Sequence, residues 1–181
     1  MKHKGDLYPV LFLTFVVLVS VVALTLTNSI TRDKIALAKK KAVAEMLSTL
    51  FPDMDSFKYD KATGMYTIFS HGTIIGHAFT AQGHGYGGAI DILIGLRPDN
   101  HTLQGIRIIS QQETPGLGAK IVEPSFLDQF KGISTDQIAL ARNGGKIDAI
   151  TGATISSSAV VEGVRKAIEQ KLGNQEKGKN Q

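Results

Sequence analysis

The chain has 181 residues, 43% of them hydrophobic, with 20 Lys and Arg against 16 Asp and Glu for a formal net charge of +4. It has no cysteine, which excludes disulfides, thiolate metal sites and Cys-ligated iron–sulfur clusters. Its basic excess sits in a segment near residues 32–41 and in the tail QKLGNQEKGKNQ; neither is interleaved with aromatics and Trp is absent, which argues against nucleic-acid binding.

Between Leu7 and Thr31 there is no charged residue, and VLFLTFVVLVSVVALTL is apolar nearly throughout. A bilayer core of about 30 Å needs roughly 20 such residues in a helix, so residues 1–31 are expected to hold a membrane anchor. The alternative is a signal peptide cleaved near Val21-Val22-Ala23, although the stretch is long for a signal core of about 7–15 residues. Lys2 and Lys4 precede the span, while Arg32, Lys34, Lys39, Lys40 and Lys41 follow it. A simple charge count would put the C-terminal part in the cytoplasm, but that rule weakens when a folded domain follows the helix, so the side stays open. Near a bilayer the same cations could also touch lipid phosphates.

Residues 32–52 read as a helical connector: Ile35, Ala38, Ala42, Met46 and Leu50 recur at three- and four-residue spacing, and Pro52 ends the pattern. The period then changes. Short strands are expected at 57–59, 65–70, 73–80, 89–95 and 102–109, separated by turn pairs such as Thr63-Gly64 and His71-Gly72 and by Arg97-Pro98-Asp99-Asn100. A short helix follows at 124–132, a brief strand at 146–150 and a last helix at 156–172, with Val160, Val161, Val164, Ile168 and Leu172 on its apolar face. Gly173 reads as its C-cap and 174–181 as a disordered tail. The expected architecture is α+β: one domain, residues 53–173, with a mostly antiparallel sheet and packed helices behind one transmembrane helix. His3, His71, His77, His84 and His101 have no paired ligand spacing; they read as scattered surface imidazoles, and no metal site is expected.

Three stretches could carry chemistry. GHGYGG, residues 83–88, matches the dinucleotide fingerprint by letter, but a strand follows it where the fingerprint needs a helix. It reads either as a glycine-rich turn between strands or as backbone approaching a flat ligand. ETPGLGAK, residues 113–120, holds Pro115-Gly116 in the order of a type II turn and is an ordinary loop unless something binds against it; Glu113 on that reading is a solvated carboxylate. DAITGATISSS, residues 148–158, places five hydroxyls at the start of the last helix. Thr154 or Ser156 could cap that helix. Alternatively, unpaired N–H groups at its N-terminus could receive a phosphate. With no Lys or Arg from Asp148 to Ser158, a free phosphate would be held weakly, whereas one esterified to a hydroxyl would need no lysine.

Asp148-Ala149-Ile150-Thr151-Gly152-Ala153-Thr154 resembles D-x-x-[ST]-G-A-[ST], the flavinylation motif of FMN-binding domains. GYGGAIDILIGL and ETPGLG resemble segments of the G subunit of the Rnf ion-translocating electron-transport complex, and the N-terminal anchor fits it. The near relative, the C subunit of the sodium-pumping NADH:quinone oxidoreductase, shares both motif types but is typically longer. The resemblance implies FMN joined by a phosphoester to Thr154, attached by a flavin transferase that takes it from FAD. It implies further that Gly152 and Ala153 clear space, that Thr151 or Ser156 hydrogen-bonds the phosphate, and that Asp148 serves the attachment. Gly116, Leu117 and Gly118 would line the isoalloxazine, with Glu113 and Thr114 as polar contacts. The domain would face the extracytoplasmic side of a bacterial or archaeal cytoplasmic membrane, single-pass, among other membrane and peripheral subunits, relaying electrons without turning over a substrate alone. A flavin reductase with dissociable FMN, and a tethered module with no cofactor, are the other classes.

Overall fold

The structure, a computed structural model, describes residues 7–179. Lys2, His3 and Lys4 lie outside the described residues, as do the side chains of Arg32, Lys34, Lys39 and Lys40 and those of the tail from Asn174. The chain divides between Lys41 and Ala42 into two units.

The first unit is helical. Helix α1, Leu7–Leu50, runs without a break through both the anchor and the connector. Its stretch Tyr8–Asn28 has a mean hydropathy of 2.7, and its residues are exposed. Large apolar residues exposed all round a helix, such as Leu11, Phe12, Phe15 and Leu18, suit a lipid surrounding. The serine and threonine hydroxyls within the span are not left open. Thr14, Ser20, Thr25 and Thr27 donate back to the carbonyls of Val10, Val16, Val21 and Ala23 at 2.7–2.8 Å, which satisfies each inside its own helix.

The second unit, from Ala42, contains the last turns of α1 and an antiparallel sheet in the order of the chain: β1 (Ser56–Asp60), β2 (Met65–Ser70), β3 (Thr73–His84), β4 (Ala89–Leu96) and β5 (Leu103–Ser110). Turn chemistry sets the register. His71 and Gly72 both have positive φ, 49° and 77°, as the two-residue turn of a tight hairpin requires, and Ser70 pairs with Thr73 across it. Between β1 and β2 the Asp60 carboxylate accepts from the Ala62 N–H and the Thr63 hydroxyl at 2.9 and 2.7 Å. Between β4 and β5 one oxygen of Asp99 accepts from the N–H groups of His101 and Thr102, each at 2.9 Å.

Helix α2, Pro124–Leu127, is followed by a 3₁₀ turn, Asp128–Phe130, and α3 is Thr154–Lys179. While β1 at the edge is exposed, the inner strands are buried on both faces. On one, Phe79, Ile92, Ile94 and Leu96 pack with Val160, Val161, Val164 and Ile168 of α3 and with Phe126 and Phe130. On the other, Leu93, Ile68 and Ala78 pack with Val43, Leu47, Leu50 and Phe51. This explains the near-continuous apolar run of β4: its alternate residues face two different cores. Phe51 fits because the strands beneath it are bare. A Cβ on Gly95 would lie 3.1 Å from its ring, and one on Gly76 would strike both the ring and the Leu96 carbonyl. α3 lies equally close on the other face, where a Cβ on Gly163 would come within 3.1 Å of Gln82 and Gly83 backbone. That contact carries the N-terminus of α3 towards the turn joining β3 and β4.

Four local expectations differ from the structure. Residues 146–150 form no strand; Ile147 makes only an isolated bridge with Leu140, because the chain before it curls into a 3₁₀ turn at Ala141–Asn143. The last helix begins at Thr154, two residues earlier than expected, and continues through Gly173, whose φ is not left-handed. Exposed polar residues and a glycine slow a helix but do not stop it. The segment at 124–132 is helical in two short pieces. His77 is half-buried on β3, not on the surface, with Nδ1 shielded and unpaired among the described residues.

Two outcomes follow from this packing. Gly76→Val drives a branched side chain into the Phe51 ring and the Leu96 carbonyl, and is expected to cost about 1–3 kcal/mol, read as a lower melting temperature of the full chain in detergent. Burial holds the His77 imidazole below its ordinary pKa of 6.5, so the unfolded chain binds the extra proton. Stability is fully present above pH 6.5 and is lost as pH falls below it towards the folded value. His77→Gln should therefore flatten the loss of denaturant resistance between about pH 7.5 and 5.5; an unchanged slope would remove His77 as its source.

Candidate functional site

Three segments distant in sequence meet beside the end of β3. They are the turn Gly85–Gly88, the segment Gln111–Gly118 and the first turn of α3. Between them lies a cleft of about 500 Å³, lined by Tyr86, Glu113, Thr114, Leu117 and Gly118 and by the run Gly152, Ala153, Thr154, Ile155 and Ser156.

Glu113 joins the three. It is 5% exposed. One carboxylate oxygen accepts from the Gly87 N–H at 2.8 Å; the other accepts from the Tyr86 N–H at 3.2 Å and from the Ser156 hydroxyl. The glycines of the turn are what allow this approach. A Cβ on Gly85 would occupy the place of the Glu113 carboxylate, one on Gly87 that of the Gln112 carbonyl, and one on Gly118 would lie 2.6 Å from the Ser156 hydroxyl. GHGYGG is therefore a turn between strands whose bareness admits a neighbouring loop. ETPGLG is the loop it admits. Gly116 has φ 75° and the Leu117 N–H donates to the Thr114 carbonyl at 3.2 Å, the geometry of a type II turn.

The start of α3 is built by its serines. Gly152, at φ 79°, turns the chain, and Ala153, which has no side-chain oxygen, precedes the helix. Neither Thr154 nor Ser156 is its cap; both lie inside the first turn. The Ser157 hydroxyl accepts from the Ile150 N–H and donates to the Ala153 carbonyl, each at 3.0 Å, stapling the turn to the helix. Ser156 is held by Glu113. Ser158 accepts from Arg142 at 3.1 Å. Of the five hydroxyls in this corner, Thr151 and Thr154 alone have no hydrogen-bond partner among the described residues, and of these two Thr154 lines the cleft. Beside it, among the described residues, no side chain caps the N–H groups of Thr154, Ile155 and Ser156. They leave the positive end of a long helix open to the cleft.

Eight of the eleven residues singled out in the sequence line this space: Glu113, Thr114, Leu117, Gly118, Gly152, Ala153, Thr154 and Ser156. Asp148, Thr151 and Gly116 are exposed and do not. The backbone of Asp148 is fixed by Gln129, whose side-chain oxygen accepts from the Asp148 N–H at 2.7 Å. Glu113 is buried, contrary to its reading as a solvated carboxylate, because its donors are 26 to 43 residues away in the chain. Sequence reasoning passed over Tyr86 and Ile155, which are 76% and 59% exposed at the cleft. An aromatic residue isolated among glycines and an isoleucine off the apolar phase of its helix were the available signals.

The cleft offers apolar surfaces at Tyr86, Leu117 and Ile155, unpaired amides, uncommitted hydroxyls at Thr154, Thr114 and Tyr86, and no Lys or Arg. Its size is in the range of small-molecule and cofactor sites. A ligand that pairs a flat apolar body with a phosphate fits this donor set. Glu113 already accepts from three donors of the wall.

The model of the FMN-binding domain family matches residues 85–169, which contain all three segments. The chain is 32% identical over 171 residues to the G subunit of the ion-translocating oxidoreductase complex of Methanosarcina acetivorans, covering 86% of this chain and 90% of that one. It is 38% identical over 122 residues to the G subunit of the proton-translocating ferredoxin:NAD(+) oxidoreductase complex of Clostridium ljungdahlii, covering 64% and 65%. Among solved structures it resembles NqrC of Shewanella oneidensis in fold, with a TM-score of 0.54, 19% identity and coverage of 71% and 73%.

The division of labour among the serines can be measured. Ser157→Ala leaves the Ile150 N–H without its acceptor and is expected to cost about 1–3 kcal/mol. Ser158→Ala loses only an exposed contact and should stay within about 0.5 kcal/mol of the parent. Denaturant unfolding of the two variants side by side checks the contrast.

Proposed function

The chain belongs to the G-subunit family of ion-translocating oxidoreductase complexes, and from that premise we propose that it carries FMN joined by a phosphoester to Thr154. Membership makes it a membrane-associated electron-transfer flavin subunit of a redox-driven translocase complex. The covalent link is the finer claim, and one observation carries it. Of the five hydroxyls in the corner, Thr154 alone both lines the cleft and has no hydrogen-bond partner among the described residues.

The electrostatics support the same position. A phosphodiester on Thr154 keeps one negative charge, and the open N–H groups at the start of α3 supply a local site of opposite sign. No lysine is needed when a covalent bond does the holding. A flavin transferase would make that bond: the Thr154 oxygen attacks the FMN phosphorus of FAD, the pyrophosphate linkage breaks, AMP leaves, and the hydroxyl proton goes to a base of the transferase. The exposed carboxylate of Asp148, on backbone fixed by Gln129, is placed to meet such an enzyme and not the finished site.

When bound, the flavin supplies one- and two-electron chemistry. The residues of this chain hold and surround it. Leu117, Ile155 and Tyr86 offer apolar surface to the ring system. Gly152 and Ala153 keep the approach to Thr154 clear, and Glu113 and Thr114 form the polar part of the wall. Thr151 and Gly116, outside the lining, support the two turns. Residues 8–28 would lie in lipid as a single span, with the flavin domain on the extracytoplasmic side. There a covalent link prevents loss of a cofactor that no cellular pool replaces. Electrons would enter from and leave to other subunits of the complex, and the isolated subunit would turn over no substrate.

Co-expression with a flavin transferase is expected to give a full-length band that fluoresces after denaturing electrophoresis. Thr154→Ala abolishes the fluorescence, and Ser156→Ala retains it. A dark parent band, with the transferase shown active on another substrate, would return this turn to a helix start with no cofactor. A fluorescent Thr154→Ala band would place the link elsewhere.

A further inference from the structure

We propose that Glu113 sets the reduction potential of the cofactor in this cleft, a role that rests on the reading of the cleft as a flavin site. The carboxylate lines the cleft and is 5% exposed. Its two oxygens accept from the N–H groups of Tyr86 and Gly87 and from the Ser156 hydroxyl, three donors of the kind that hold a carboxylate in place. Among the described residues no cationic side chain pairs with it, and none lines the cleft. The wall therefore presents one negative charge with no cationic partner among the described residues, opposed by its three donors and by the partial positive charge at the start of α3.

Adding electrons to a flavin makes it more negative. A fixed carboxylate in a poorly solvated wall opposes that change and lowers the potential. The three donors hold the charge in place. The Ser156 hydroxyl ties it to the same helix turn that carries Thr154, so the charge and the attachment point move as one. The unpaired helix amides act in the opposite sense, and the potential reflects the balance between these two groups.

Charge and structure can be separated by substitution. In Glu113→Gln the side chain keeps its shape and loses its charge, but either orientation of the amide sets an NH₂ against the Tyr86 or the Gly87 N–H, so some stability is lost as well. Ser156→Ala keeps the charge and removes one donor. A merely structural role for Glu113 would lower the melting temperature in both variants and leave the potential where it was.

The experiment is a spectroelectrochemical titration of the full chain in detergent, flavinylated by a co-expressed transferase. At the parent midpoint, Glu113→Gln should raise the ratio of reduced to oxidised flavin by roughly tenfold. Ser156→Ala should move it the other way, because a carboxylate with fewer donors exerts a stronger field. An unchanged or lowered ratio in Glu113→Gln overturns the proposal. Should that variant fail to accumulate, an unchanged or raised ratio in Ser156→Ala overturns it instead. A parent protein that takes up no flavin defeats the flavin reading itself, which is a separate result from a flavin of unaltered potential.

Discussion

A buried carboxylate needs compensation, and the way Glu113 is compensated organises the functional end of this domain. Its donors come from the β3–β4 turn and from the first turn of α3, neither of which is near it in sequence. Removing a partner from a buried charge costs far more than the net worth of the pair, so each segment is held wherever the carboxylate requires it. The glycines at 85, 87 and 118 follow from this, since a side chain at any of them would occupy the space of the carboxylate or of its immediate neighbours. The cleft is what remains between three segments anchored to one group.

The rest of the domain brings those segments within reach. A five-stranded meander alone would leave two apolar faces wet. α3 and the turns around Phe126 and Phe130 cover one, and the last turns of α1 cover the other. Both layers lie close because the strands are stripped of side chains where the helices cross. Gly83 and Gly163 let α3 approach β3, and Gly76 and Gly95 make room for Phe51. The depth at which α3 sits decides where its N-terminus emerges, so packing far from the cleft sets the position of Thr154.

The crowd of hydroxyls at the start of α3 resolves into separate tasks. Ser157 staples the turn, Ser156 holds Glu113 and Ser158 meets Arg142. Of these, Ser157 gives the Ile150 N–H the acceptor it would otherwise lack. Thr154 is left over, beside amides that have no cap. A helix start with no side-chain cap is an unsatisfied structure by itself, and the phosphoester proposed for Thr154 would supply what is missing.

Local signals in the sequence determined much of this. The uncharged stretch after Leu7, the turn pairs at Thr63-Gly64 and His71-Gly72, the type II turn at Pro115-Gly116 and the apolar phase of α3 depend on interactions within a few residues, and each lies where its pattern pointed. The motif ending at Thr154 pointed by resemblance to the turn for which attachment is proposed. Tertiary structure decided the rest. The segment at 146–150 had the composition of a strand but found only Leu140 as a partner. His77, one of several scattered imidazoles in the sequence, is half-buried because its strand is covered. Glu113 looked like any loop carboxylate, and Tyr86 and Ile155 like residues without a task. Their roles arise from donors and surfaces 26 to 43 residues away. Such pairings are fixed by how closely helix and sheet can pack, which no short window of sequence contains.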